Sequence, residues 1–267
     1  MLSERTLGLA RPGRHSPVLA RLRRIARGAE PDVTAVDGAR LVLDLLDHGV
    51  PVEALFTTPE HLEALAGRGW LDAGERQRRV YLVEDDTLAK VAPTTTPQGL
   101  LAVVRVPQHR LEPAGVAVYL DRVQDPGNVG AVIRSAAAFG ASGVGCSPGC
   151  ASPFSWRSLR ASAGHALLLP VQAEAEFGPL ADAFAAAGGE VAAASGRGGT
   201  PLAHWRPRRP LLLVVGNEGQ GIASEIVARC DSTVTIPASP TVESLNVTVA
   251  ASVILASLDG RTDSYTE

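Results

Sequence analysis

Three polar stretches of this 267-residue chain combine residue types suited to chemistry with the spacing of bends between strands and helices. The first, DRVQDPGNVGAVIRSAAAFG, sets Asn128 between Gly127 and Gly130, with Arg134 six residues beyond Asn128. On a helix that offset is under two turns, so the guanidinium can reach back toward the bend. The glycines read as a tight entry into the helix, and the amide as a fixed dipole near its amino end. The second, LLLVVGNEGQGIASEIV, carries Asn217 and Glu218 out of an apolar strand. The third runs from Thr233 to Leu258: a β-branched run ends at Ile236-Pro237, and helical periodicity begins near Ser244-Leu245-Asn246. Bends of this kind gather free amide donors and the positive end of a helix dipole, and open α/β sheets bind ligands there.

The glycines of the second stretch, Gly216, Gly219 and Gly221, fall at spacings of three and two, the reverse of the GxGxxG order. No acidic residue about twenty positions on suits a ribose, which disfavours a nicotinamide-binding domain. Glu218 is equally what a helix dipole favours in a first turn. His165, His204 and the three cysteines form no triad and no metal-ligand spacing, so no metal is expected.

The elements that position these bends fall into two groups. In the first, a capped helix is expected over Pro17–Gly28, with Ser16 as N-cap and Val18, Leu22 and Ile25 as its apolar stripe. Strands follow at Val33–Val36, Val52–Thr57, Val80–Val83 and Gly99–Val106, with helices at Gly38–His48, Pro59–Ala66 and Asp85–Val91. The polar, proline-bearing stretch after Val106 reads as a linker. The domains expected are therefore 1–106, a linker at 107–114, and 115–267. In the last, strands are expected at Val116–Leu120, Gly143–Cys146, Leu167–Val171, Glu190–Ala194, Leu211–Val215 and Val234–Ile236. Helices fit between them at Val129–Phe139, Ser155–Ala163, Pro179–Ala187, Ile222–Arg229 and Leu245–Leu258. Such alternation predicts an α/β fold with a mostly parallel sheet covered on both faces.

Composition is that of a globular protein, 45% apolar and 20% charged with a net charge of −3. Positions 1–30 nonetheless carry seven arginines, at 5, 11, 14, 21, 23, 24 and 27, against Glu4 and Glu30. Lys90 is the single lysine, so arginine abundance is discounted and its placement weighed instead. Arg21, Arg24 and Arg27 lie on the first helix, which reads either as a solvated face or as a phosphate-contacting element for RNA. The amino-terminal stretch lacks the apolar core of a signal peptide and the longest apolar run is too short to span a bilayer, so a cytoplasmic protein off the membrane is expected. Three cysteines make no disulfide framework.

Taken together, Asn128, Arg134 and Gly140, then Gly216-Asn217-Glu218, then Ile236-Pro237 with Ser244-Leu245-Asn246 resemble the three signature motifs of the SpoU (TrmH-like) RNA ribose methyltransferases of the SPOUT superfamily. The match covers about 121–258 in the family's order. It departs at Ala238-Ser239-Pro240, where the family usually carries a Met and a Gly. Asp37–Val42 and Thr94–Gly99 resemble the ribosomal-protein-like substrate-binding domain that precedes many such enzymes.

The resemblance implies a carboxyl-terminal trefoil knot and transfer of a methyl group from S-adenosylmethionine to a ribose 2′-hydroxyl, most often in ribosomal RNA, with transfer RNA next. It implies cofactor contacts at Gly216, Ile236, Leu245, Val215 and Ser195. Arg134 becomes the catalytic residue, assisted by Asn128, Glu218, Ser244 and Asn246, with Glu218 in a position to orient it. Arginine is an awkward base, which leaves two roles, proton acceptor or phosphate clamp. A homodimer is implied as well; the small-residue face of the last helix (Ala250, Ala251, Ser252, Ala256) suits close helix packing, either against a second copy or within the core. A binding protein of the same fold without turnover is the competing reading; it has no need of the full polar set.

Overall fold

The structure is a computed structural model that describes residues 8–72, 79–94, 96–239, 241–242 and 244–258. Arg5, Glu4 and Pro240 of the readings above lie outside them. The chain divides into two compact units, one running to Val106 and taking in Phe154–Trp156, the other Pro107–Pro153 and the chain from Arg157 onward.

The first unit is a four-stranded mixed sheet with helices packed against it. Its strands are β1 (Val33–Asp37), β2 (Val52–Thr57), β3 (Val80–Leu82) and β4 (Leu100–Arg105), in the order β1-β4-β2-β3. β4 runs antiparallel to β1 and β2, and β2 parallel to β3. Flanked on both edges, β4 buries Leu100 through Val104. Helix α1 (Pro17–Ala26) starts where Ser16 Oγ accepts from Leu19 N and proline occupies the first turn. It buries Leu19, Leu22 and Ile25 against Val33, Phe56, Leu101 and Val103. Each such side chain removed from water stabilises by about 1.5–3 kcal/mol. The stripe therefore runs through Leu19, with Val18 only half-buried beside it. Helices α2 (Ala39–Asp47), α3 (Leu62–Ala66) and α4 (Asp85–Ala89) complete the unit.

The second unit is built on seven strands that all pair in parallel. They are β5 (Val116–Asp121), β6 (Gly143–Cys146), β7 (Val171–Gln172), β8 (Glu190–Ser195), β9 (Thr200–Pro201), β10 (Leu211–Gly216) and β11 (Ser232–Thr235). Their order is β7-β6-β5-β10-β8-β11-β9, which puts β5 and β10 side by side near the middle. Both are apolar almost throughout and buried, as a parallel strand covered on two faces requires. Helices α5 (Pro126–Ala138), α6 (Trp156–Ala161), α7 (Phe177–Ala186), α8 (Ser224–Val227) and α9 (Val247–Leu258) connect them. Within the expected linker, Leu111 is buried among Tyr119 and Ala175, and its amide donates to Gln172 Oε1 at 2.9 Å.

Several boundaries differ from expectation for local reasons. The strand expected at Leu167–Val171 is a 3-10 turn, His165–Leu167, followed by the two-residue β7. Pro170 breaks the run because it has no amide to donate. α5 starts at Pro126, three residues early, because Asp125 Oδ1 accepts from Asn128 N at 2.9 Å. α9 starts two residues late because Asn246 caps it, its Oδ1 accepting from Thr248 N at 2.8 Å. α8 keeps four residues of the eight expected, its start held back at Ala223, whose non-helical backbone lets its amide donate to Asp121 Oδ2 at 2.8 Å. The short β9 was not anticipated. Among the described residues no helix is long and apolar enough to cross a membrane.

Candidate active site

Because the sheet is parallel, the bends after β5, β10 and β11 emerge from one edge, with Gly216 in register with Asp121 across β10 and β5. The first bend enters α5 with Asn128 in its first turn. Gly130 lies inside the helix rather than at a turn. A Cβ there would sit 2.3 Å from Ser158 O and 2.7 Å from Ala161 Cβ, so its lack of a side chain lets α6 approach α5.

The second bend closes on itself. Asn217 and Gly221 exchange backbone hydrogen bonds at 3.1 and 2.9 Å, while Asn217 Oδ1 accepts from Gly219 N (2.9 Å) and Gln220 N (3.0 Å). A Cβ on Gly216 would lie 2.4 Å from Gly221 C, so only glycine fits where the loop folds back. With the loop's own polar groups satisfied, Glu218 projects outward and is exposed.

The third bend delivers Ser244, Leu245 and the cap Asn246. Here the three stretches meet on one side chain. Asn128 Nδ2 donates to Glu218 Oε1 at 2.7 Å, and Asn128 Oδ1 accepts from Asn246 Nδ2 and from Thr248 Oγ1, both at 3.2 Å. An amide that gives and receives in this way is locked in one orientation.

Thr248 is a member of this set that sequence reasoning missed. The available signal was a pair of hydroxyl residues one turn apart, Thr248 and Ser252, in a mostly apolar helix, where each needs a partner. Ser252 Oγ meets Ser135 Oγ of α5 at 2.7 Å. Part of the small-residue face of α9 is thus occupied by α5 of the same chain.

Beside this junction lies a cleft of about 470 Å³ whose lining includes all five expected cofactor residues, Ser195, Val215, Gly216, Ile236 and Leu245. Glu218 and Ser244 line it too. The fit to S-adenosylmethionine is good in size and chemistry: an apolar wall of Val215, Ile236, Leu245 and Ile254, strand-end backbone at Gly216, and hydroxyls at Ser195 and Ser244. Arg134 stands apart. It is exposed on α5 and makes no hydrogen bond or ion pair with the described residues, so the carboxylate of Glu218 holds Asn128 rather than Arg134.

Arg21, Arg24 and Arg27 belong to the first unit and are exposed on or beside α1. Arg21 pairs with Glu30 (3.0 Å) and Glu53 (3.2 Å), and Arg24 with Glu30 (2.9 Å). The hydrogen bond to Glu30 is the main reason the Arg21 guanidinium holds its proton more tightly than usual. At the first bend of the second unit, Arg122 does likewise through its hydrogen bond to Asp121.

A parallel sheet whose edge bends enclose this cleft beside a locked amide makes an arrangement able to hold S-adenosylmethionine. Residues 115–256 match the SpoU rRNA Methylase family and residues 23–102 the MRM3-like substrate binding domain. The chain belongs to the SpoU rRNA methylase family. It is 38% identical to an uncharacterized tRNA/rRNA methyltransferase of Synechocystis sp. over 66% of this chain and 65% of that one. It is 33% identical to the 23S rRNA (guanosine(2553)-2′-O)-methyltransferase RlmP of Bacillus subtilis, over 67% of this chain and 72% of that one. Among solved structures, the SpoU methyltransferase AviRb of Streptomyces viridochromogenes in complex with AdoMet superposes with a TM-score of 0.78 at 25% identity, over 93% of this chain and 98% of that one.

Proposed function

We propose that this chain methylates a ribose 2′-hydroxyl in ribosomal RNA, using S-adenosylmethionine, and that it works as a cytoplasmic homodimer. The observation that carries the reading is the junction on Asn128, where Glu218 and Asn246 meet it beside the cleft. Transfer RNA is the second substrate to test, since the Synechocystis relative is named for both.

When bound, the cofactor supplies a methyl group on a sulfonium, open to in-line attack by the ribose oxygen. The chain's own residues must align that oxygen and dispose of its proton. Arg134 suits the clamp role: a guanidinium presents a fork of donors that matches a phosphate, and no partner among the described residues engages it. Placed on the phosphate next to the target ribose, it makes the hydroxyl more acidic while water takes the proton. Asn128, Glu218 and Asn246 hold the amino end of α5 beside the cleft, and Ser244 offers a hydroxyl at its lip.

The first unit is assigned to RNA binding on its family match. Its exposed Arg21, Arg24 and Arg27 support this, as does a groove that sets Arg68, Arg79, Arg105 and Trp70 beside Asp47 and Glu53, with Arg68 paired to Asp47 and Arg105 to Glu53. The dimer is supported by Val249 and Val253, 46% and 40% exposed one turn apart on the outer side of α9. The trefoil knot belongs to this proposal through family membership.

The deciding experiment incubates the purified chain with tritiated cofactor and bulk RNA, then maps alkali-resistant linkages in the product. Label in ribosomal RNA with one resistant linkage is the expected result. Label confined to transfer RNA selects the second substrate, and binding without label reduces the chain to an RNA-binding protein.

A further inference from the structure

Arg122, the residue after β5, has a left-handed backbone with φ of 51°. Non-glycine residues avoid that region, at a cost of about 1–3 kcal/mol, and keep it only where surrounding contacts demand it. The contacts here are specific. Arg122 N donates to Ser147 Oγ at 2.9 Å, and Arg122 O accepts from Asn217 Nδ2 at 2.8 Å. The guanidinium grips both oxygens of the buried Asp121 carboxylate at 3.0 and 3.1 Å, and the same carboxylate accepts from Ala223 N at 2.8 Å. Two hydrogen bonds thus cross from the first bend to the second, one at each end of the loop that carries Glu218. Since the loop is closed internally by Asn217, it moves as a piece with whatever holds Asn217.

We propose that Arg122 is a positioning residue for methyl transfer: its left-handed turn aims its carbonyl at the Asn217 side chain and so sets Glu218 against Asn128. An extended residue at this point points its carbonyl elsewhere and leaves the Asn217 amide without its acceptor. The proposal rests on the functional reading above, and it concerns the backbone of Arg122 rather than its charge.

The test uses the purified full chain with Arg122→Val, Arg122→Gly and Arg122→Asn. Valine is β-branched and resists positive φ, glycine adopts it freely and asparagine tolerates it. With Arg122→Val, kcat falls roughly ten- to a hundredfold, and cofactor affinity, read by calorimetry, falls by a smaller factor. Glycine and asparagine recover most of the rate. Amide exchange at Gly219 and Gln220, measured without cofactor or RNA, quickens in the valine variant and not in the glycine one.

Valine turning over like the unaltered chain, or glycine and asparagine losing as much as valine, overturns the proposal. So does a loss of rate wholly explained by cofactor affinity. Should the valine variant fail to fold, Asn217→Asp takes its place, since it keeps the acceptor for Gly219 N and Gln220 N and deletes only the donor to Arg122 O. A matching loss of kcat supports the proposal, and an undiminished rate overturns it. If the unaltered chain transfers no label to RNA, the functional reading fails, while the amide-exchange comparison still decides the positioning role.

Discussion

Asn128 and Glu218, 90 positions apart in the chain, are joined by a 2.7 Å hydrogen bond from the amide to the carboxylate. Asn128→Asp replaces that donor with a second carboxylate and sets like charges face to face. Methyl transfer is expected to fall by roughly 10²-fold or more, and Asn128→Asp combined with Glu218→Gln to regain part of it. Single-turnover rates on the two variants check this; no recovery in the pair shows that the bond itself is not what matters.

Arg134 has no partner among the described residues to lose. Arg134→Ala is therefore expected to leave the melting temperature and cofactor affinity nearly unchanged while kcat drops roughly 10²- to 10³-fold. Calorimetry and labelled-methyl transfer on the same preparation separate the two. A parallel loss of cofactor binding assigns Arg134 a structural role.

Thr248→Val keeps the shape of the side chain and deletes the hydroxyl that donates to Asn128 Oδ1. The variant is expected to lose about 1 kcal/mol of stability and to slow turnover, with cofactor affinity held. Denaturant titration beside kinetics reads both, and a rate equal to that of the unaltered chain removes Thr248 from the site.

Gly216→Ala forces a methyl group within 2.4 Å of Gly221 C. The loop must shift, at a cost of about 1–3 kcal/mol, and the cleft beside it changes shape. Weakened cofactor binding in a chain that still folds is the expected result, measured by calorimetry and circular dichroism. Full affinity argues that the cofactor does not use this strand end.

Val249 and Val253 present apolar surface on α9. Val253→Asp is expected to convert the proposed homodimer to monomer in light scattering, without loss of the cofactor cleft. A single mass shared by both forms, whether dimer or monomer, argues against α9 as the subunit interface.

How far the sequence could be read depended on the range of the forces involved. β2 and β6 run over the residues that alternation and β-branching pick out, and α1 begins at its Ser-Pro cap, because these signals are local. Pairing order was not legible: nothing in periodicity says that β10 lies between β5 and β8, since a parallel strand meets its neighbours only after a long crossover. The same holds within the site. Asn128, Glu218 and Asn246 stand out singly by residue type, but their shared junction, and the attachment of Glu218 to Asn128 instead of Arg134, depend on which bends the sheet places together. Thr248 and the turn at Arg122 went unnoticed because their roles exist only across that junction.

The rim strands β7 and β9 have two residues each, whereas β5 and β10 sit sheathed in the interior. Warming therefore frays this sheet from its margins, and the two innermost strands, which bear the Asn128 and Glu218 bends, are the last to come apart. The third bend leaves β11, one strand in from the β9 margin, so heating loosens Leu245 and Asn246 before it parts Asn128 from Glu218, and cofactor affinity declines ahead of the full melt.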